Sequence, residues 1–241
     1  MPTCSFVTLH LARFDEIRST AEVDTRCLAG DPVLWAAGAD EGAAGSETGS
    51  QRALVWIGLG LHADEESART LIDAGPDAVP CMSDAAETWA AILQPFNHRG
   101  EVNWLDPDTP GPVFTTGPPP ADGEAFVVIT SAGWTIDADF DINRAIDFAT
   151  GVVRVRDSMT SVDGLHSQQT FGFPGLVTID GITLTFWRND AAMRAFAYRP
   201  GEHKTQLDRF RERNTADRTS FTRLRALHQY GTWHGTDPLA R

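Results

Sequence analysis

Apolar and polar residues alternate along much of this chain, and the alternation predicts strands separated by short helices. In SFVTLHLARF (5–14), Phe6, Thr8 and His10 alternate with Val7, Leu9 and Leu11, the two-residue period of a strand. RALVWIGLGLH (52–62) predicts a second strand, and ADEESARTLIDAG a helix after it. There Asp64 is placed to cap, Glu65 and Glu66 suit the positive helix end, and Gly75 stops the helix. SDAAETWAAILQPF (83–96) predicts a further helix with Trp89, Ile92 and Leu93 on its apolar side, and EVNWLD a third strand. The Gly- and Ala-rich stretch 36–51 predicts a loop, with His98 in a second, polar loop. Residues 106–124, rich in Pro and Gly, predict a linker.

Beyond that linker the pattern starts again. AFVVITSAGW (125–134) predicts a strand, and residues 141–159 a helix with Ile142, Ile146, Val153 and Phe148 inward. GLHSQQTFGF and ITLTFW predict two strands joined by a turn around Asp180-Gly181. A helix broken at Pro200-Gly201 and a last strand within SFTRLRALHQYGTWHG complete the order. GLGLHADEESARTLI in the first half and LTFWRNDAAMRAFA in the second both run from a strand into an acid-capped helix with an arginine. One β-α-β-β-α-β unit per half is the simplest arrangement. The expected class is therefore α+β: two tandem ferredoxin-like domains of the dimeric α/β-barrel type with antiparallel sheets, 1–120 and 121–241, and a pocket between sheet and helices.

Composition narrows the function. A formal net charge of −13 over 241 residues argues against a nucleic-acid partner. Residues 1–142 hold 6 Arg, no Lys and 23 Asp or Glu, whereas the rest hold 14 basic and 10 acidic residues. A basic zone of that kind suits the carboxylates of a small anion or cofactor, or simply forms a solvated helix face. No apolar run is long enough for a membrane span, and the first residues carry no secretory pattern. Cys4, Cys27 and Cys81 are odd in number and widely spaced, so free thiols and a cytoplasmic location are expected.

The motifs of several enzyme classes are missing: no third glycine follows IGLGLHADEE at dinucleotide-binding spacing, and there is no G-x-S-x-G, H-E-x-x-H or C-x-x-C. Attention falls on the histidines. His203, Leu207 and Phe210 share one helical face immediately after the Pro-Gly break. An imidazole on such a face is most often a satisfied core residue. It also suits metal ligation through one nitrogen while the other is hydrogen-bonded. Phe196, Phe171 and Trp187 fit a flat apolar cofactor, with Arg199 and Lys204 near its carboxylates. His166, beside SQQTFGF, is a candidate acid or hydrogen-bond donor facing the pocket.

The run TFW, RNDAAMRAFAYRPGEHKTQLDRFRERN and SFTRLRALHQYGTWHG resembles the spheroidene monooxygenase family, best over residues 182–227. That resemblance implies a haem-dependent, oxygen-using, carotenoid-type oxidase related to the dimeric α/β-barrel haem proteins. It makes His203 the axial ligand of a haem b iron, and leaves His166 or an arginine as the distal acid or hydrogen-bond donor. It also implies an apolar small-molecule substrate, an electron donor, no stable membrane insertion, and a fold that often forms homodimers. The segment RNTADRTSF departs from the family's Gly-Trp-Phe-like element, which puts a carotenoid substrate in doubt. Two other readings stay open: a cofactor-free monooxygenase or isomerase with a histidine base, and a non-enzymatic haem or small-ligand binder.

Overall fold

The computed structural model describes residues 3–19, 22, 33–37, 44–45, 51–75, 79–102, 113–174, 178–213 and 215–240. Eight strands carry the fold. They are β1 (Phe6–Ser19), β2 (Val33–Ala37), β3 (Gln51–His62), β4 (Glu87–Gly100), β5 (Phe126–Thr135), β6 (Leu165–Pro174), β7 (Thr178–Trp187) and β8 (Arg218–Gly231). Four α-helices accompany them: α1 (Glu65–Asp73), α2 (Ile142–Met159), α3 (Asp190–Tyr198) and α4 (Glu202–Arg213). The strand order is β4-β1-β3-β2 in the first half and β8-β5-β7-β6 in the second. Each is the order of a ferredoxin-like unit, with its first strand central. Antiparallel pairings of β4 with β8 and of β2 with β6 join the halves edge to edge, so the sheet closes into a barrel. Closure leaves the eight strands without a free edge.

Register shows how closely the halves repeat. Phe6 pairs with His62 and Phe126 with Trp187, the last residues of β3 and β7. Two residues later stand the helix caps, Asp64 accepting from Ser67 N and Asn189 accepting from Ala192 N. Each helix then makes an i,i+4 pair, Glu65 with Arg69 and Asp190 with Arg194. Gly75 at the end of α1 has φ +73°, the left-handed conformation that favours glycine. The Asp64 cap and Gly75 stop read from the sequence are therefore the ones α1 uses, while α3, expected to be acid-capped, is capped by Asn189.

The barrel interior is filled by one face of β1, β3, β4, β5, β6, β7 and β8. Val7, Leu9, Leu11, Trp89, Leu93, Ile129, Phe171, Leu184 and Phe186 meet there, with Trp89 edge-on to Phe186 at 5.1 Å between ring centres. One barrel mouth is closed by residues 232–240. Trp233 is 1% exposed in the interior cluster, Arg13 lies 5.2 Å above its ring, and Glu87 accepts from Gly235 N. Gly100 and Gly231 sit at opposite ends of the β4–β8 ladder with φ +85° and +82°, and a Cβ would overlap the carbonyl oxygens of Thr219 and Thr88. Gly100→Ala or Gly231→Ala is expected to cost about 1–3 kcal/mol from the backbone conformation alone. Equilibrium urea unfolding measures it, and Gly123→Ala, also at positive φ but with open space around it, separates conformation from clash.

Four expectations are corrected. Residues 87–100 form β4 rather than a helix: Trp89, Ala91 and Leu93 face the interior while Ala90 and Ile92 face α1. A strand buried on both faces is apolar throughout, which periodicity alone does not separate from a helix. Pro95 lies where the β4–β8 register shifts, a position that tolerates its missing N–H, and His98 is in this strand, not a loop. Asp180-Gly181 lies inside β7, and the connection at 175–177 falls outside the described residues. On α2, Ile142, Ile146 and Val153 are exposed, while Ala145, Gly151 and Met159 are buried and Phe148 stacks edge-on to Trp134 at 5.2 Å. Cys4 is free and buried, but Cys81 is disulfide-bonded to a partner outside the described residues, so three free thiols are not present. The cytoplasmic expectation loses that support. Most of the predicted loop at 36–51, most of the predicted strand at 101–106, and residues 106–112 of the predicted linker also fall outside the described residues.

Candidate functional site

The helix-facing side of β5 carries Phe126, Val128, Thr130, Ala132 and Trp134 in succession. Four of the five are buried, and Thr130, in the middle of a central strand, is exposed. Phe126 and Val128 belong to an apolar cluster with Met159, Trp187, Met193 and Phe196. Ala132 and Trp134 belong to another with Ala145, Phe148, Ala216 and Phe210. Solvent therefore enters between two packed clusters and reaches the sheet itself. The helices explain the opening. α1 lies directly on β1, β3 and β4, whereas the closest backbone packing of α2 is against α4, not against a strand. Gly151 permits that approach, because a Cβ there would press on the Gln206 amide. The floor around Thr130 has Thr183 on β7 and, beyond it, Thr170 on β6 on one side, and Phe221 of β8 on the other.

α4 crosses this layer from one cluster to the other. His203, at its start, lies 5.0 Å from the Phe196 ring, and Phe196 lies 5.6 Å from Trp187. Phe210, two turns on, joins the Trp134 cluster. The break at 199–201 lets the chain turn between α3 and α4, so that His203 Nδ1 reaches the Ala197 carbonyl oxygen at 3.1 Å. A carbonyl only accepts, so Nδ1 carries the proton and Nε2 presents its lone pair. Nε2 has no hydrogen-bond partner among the described residues. Burial lowers the His203 pKa from its ordinary value, more than the carbonyl bond raises it, which keeps the ring neutral. A neutral imidazole with one nitrogen anchored and the other free is the state a metal ligand requires.

The other predicted site residues divide by position. Trp187, Phe196 and Phe210 line the helix–sheet layer, and Leu207 is half-buried on α4. Phe171 does not share the layer: it pairs with Ile182 and faces the barrel interior, because strand alternation sends Thr170 to the helices instead. Lys204 is ion-paired with Asp208 one turn along α4, and Arg199 is exposed. His166 is exposed, and its Nδ1 donates to Pro238 O in the segment closing the barrel mouth. No contact joins it to His203 among the described residues. Sequence reasoning missed Thr130, although the signal was there: one polar residue on a strand face otherwise composed of Phe126, Val128, Ala132 and Trp134. No group of three or more His, Cys, Asp or Glu able to hold a metal ion occurs among the described residues.

No protein-family model matches the chain. A spheroidene monooxygenase of Rhodobacter capsulatus is 26% identical over 186 residues, covering 77% of this chain and 72% of the relative. A second, of Cereibacter sphaeroides, is 23% identical over 189 residues, covering 77% of this chain and 53% of the relative. At 23–26% identity over about 77% of the chain, these relatives support a distant likeness to spheroidene monooxygenases. It spans only about half the length of the second relative. Among solved structures, an aldoxime dehydratase matches with a TM-score of 0.49 and 10% identity, over 98% of this chain and 87% of that one, a likeness too slight to bear on function. No helix among the described residues is long and apolar enough to cross a membrane.

Proposed function

We propose that this chain is a haem-dependent oxidoreductase, a monooxygenase acting on an apolar small molecule bound between the sheet and helices of its second half. The observation that carries the proposal is His203: Nδ1 held by the Ala197 carbonyl, Nε2 unpartnered, and an open layer beneath the helix that bears it. The relatives named spheroidene monooxygenase support its monooxygenase part. The residues present fit haem b. Nε2 of His203 would hold the iron, Phe196 and Trp187 would meet the macrocycle, and Thr130 would stand on the strand side. Haem, when bound, supplies an iron centre at which oxygen is activated with electrons from a donor. The protein's own part is to anchor the imidazole, keep it neutral, and exclude bulk water with the two apolar clusters on either side of the opening.

The visible spectrum of the purified protein tests this. A Soret band is expected after expression with haem supplied, and its absence under those conditions overturns the proposal. A cofactor-free histidine base is the less favoured reading, because the lowered pKa of His203 weakens it as a base at neutral pH. The position of the opening has its own test. Thr130→Phe places a ring where the strand is now exposed, so haem uptake measured by titration is expected to fall at least ~10-fold. An exposed strand position should tolerate the change within about 0.5 kcal/mol, so an unchanged thermal melt separates blocked access from unfolding.

A further inference from the structure

α2 has a second apolar face, and it is open to solvent. Its buried face is Ala145, Gly151 and Met159, with Phe148 packed on Trp134. Ile142, Ile146, Ala149 and Val153 form a separate stripe, since at about 100° per residue their directions fall within about 60° of arc. All four are exposed, the three large ones by 49%, 53% and 45%. Of the six exposed large apolar side chains among the described residues, three stand on this one stripe. It is therefore a patch about 16 Å long rather than a scatter of surface residues. Asn143 and Thr150, both uncharged, run along one border of it.

The steps along the stripe are four, three and four residues, which reads the same in both directions. An antiparallel helix of the same sequence therefore sets Ile142 over the partner's Val153 and Ile146 over the partner's Ala149. At the centre a large side chain then meets a small one, which lets the two helices interlock. We infer that two copies of this chain meet here, α2 against α2 about a twofold axis. Charge favours the same occupant. Residues 1–142 hold 6 basic and 23 acidic residues, and residues 143–241 hold 14 and 10. A chain of net charge −13 repels its own copy over most of its surface. Pairing through α2, which belongs to the second half, brings together the halves that are not acidic. Strand addition at a sheet edge is closed as a route, because the barrel leaves the eight strands no free edge. One helix pair of this length buries less than the ~800 Å² per partner of a standard interface, so the dimer forms and separates with concentration.

Sedimentation velocity from about 1 μM to about 1 mM tests this, a range that spans the affinity of a small interface. The weight-average mass of the wild type is expected to rise from one chain towards two. Ile146→Glu changes an exposed position and should keep the thermal melt. It should weaken association at least ~10-fold, as a buried unpaired carboxylate would. Ile17→Glu, at an exposed apolar residue of β1, adds the same charge and should dimerise like the wild type. A wild type that stays monomeric, a dimer that survives Ile146→Glu, or one lost equally in Ile17→Glu overturns the inference. So does a wild type that stays monomeric and sediments with phosphatidylglycerol vesicles, which assigns the stripe to a lipid surface. Orientation has its own readout. With copper phenanthroline as oxidant, Ile142→Cys mixed with Val153→Cys is expected to give a disulfide-linked pair. Each variant alone should not, because its two introduced thiols stand about 16 Å apart along the helices. Linkage within either variant alone, or none in the mixture, overturns the antiparallel pairing. No step needs haem, so the result is independent of the proposed activity.

Discussion

Purified His203→Ala protein is expected to lose the Soret band that the wild type shows, with haem affinity falling by more than ~100-fold. Changing a group behind a metal ligand typically costs 10–100-fold, so loss of the ligand itself should cost more. The Nδ1 bond to Ala197 O aims the ring and selects the tautomer, and no group of three or more His, Cys, Asp or Glu stands among the described residues to hold the metal without it. The variant removes a half-buried ring that packs on Phe196, so a modest drop in melting temperature should accompany the spectral loss. Imidazole added to the variant supplies the missing nitrogen and is expected to restore the band. That rescue is something a purely structural role for His203 would not produce. A Soret band that persists in His203→Ala at wild-type affinity sinks the ligand assignment.

The second large effect comes from the other half, at the residue equivalent to Thr130. His10 pairs with Gly58, four residues before the end of β3, as Thr130 pairs with Thr183, four before the end of β7. The helix-facing residues of β1 are Phe6, Thr8, His10, Ala12 and Phe14, but here the layer is shut. His10 is 5% exposed and its Nε2 has no partner. Burial, with a smaller contribution from the nearby His62, lowers its pKa from 6.5 to about 4. The unfolded chain therefore takes up the proton first as acid is added. The stability that depends on a neutral His10 is fully present above pH 6.5 and is lost as pH falls from 6.5 towards 4. A shift of that size corresponds to roughly 3 kcal/mol. In urea unfolding across this range, His10→Leu is expected to lose most of that slope and to exceed the wild type in stability near pH 4. His62 and His203 have pKa values lowered by burial as well, so part of the slope remains in the variant. Parallel pH profiles for the two proteins would rule His10 out as the source.

Much of the fold could be read from local pattern. The capped helix after β3, the helix broken at Pro200-Gly201 and the two opening strands each depend on residues within a few positions of one another. The repeat was visible for the same reason, since Asp64 and Asn189 punctuate equivalent strand ends. β4 was misread because a strand covered on both faces loses its alternation. The exposed stripe of α2 was misread because the helix packs through Ala145 and Phe148 near Trp134 and through Gly151 against α4, not through its isoleucines. Phe171 was assigned to the cofactor layer by nearness in sequence, and a one-residue step along β6 puts it on the opposite face.

The sequence by itself determined the α+β class, the tandem halves, the family resemblance and His203 as the residue to watch. Caps, breaks and strand period are short-range properties, written in neighbouring residues. Only the tertiary structure decided that one half is closed over His10 and the other open over Thr130. It also decided that the Ile142, Ile146 and Val153 stripe of α2 faces solvent, and that His203 Nδ1 is already engaged. Those facts depend on how far α2 stands from a strand and which backbone carbonyl lies beside a ring. Such distances are set by packing between elements remote in sequence, to which the local pattern is blind.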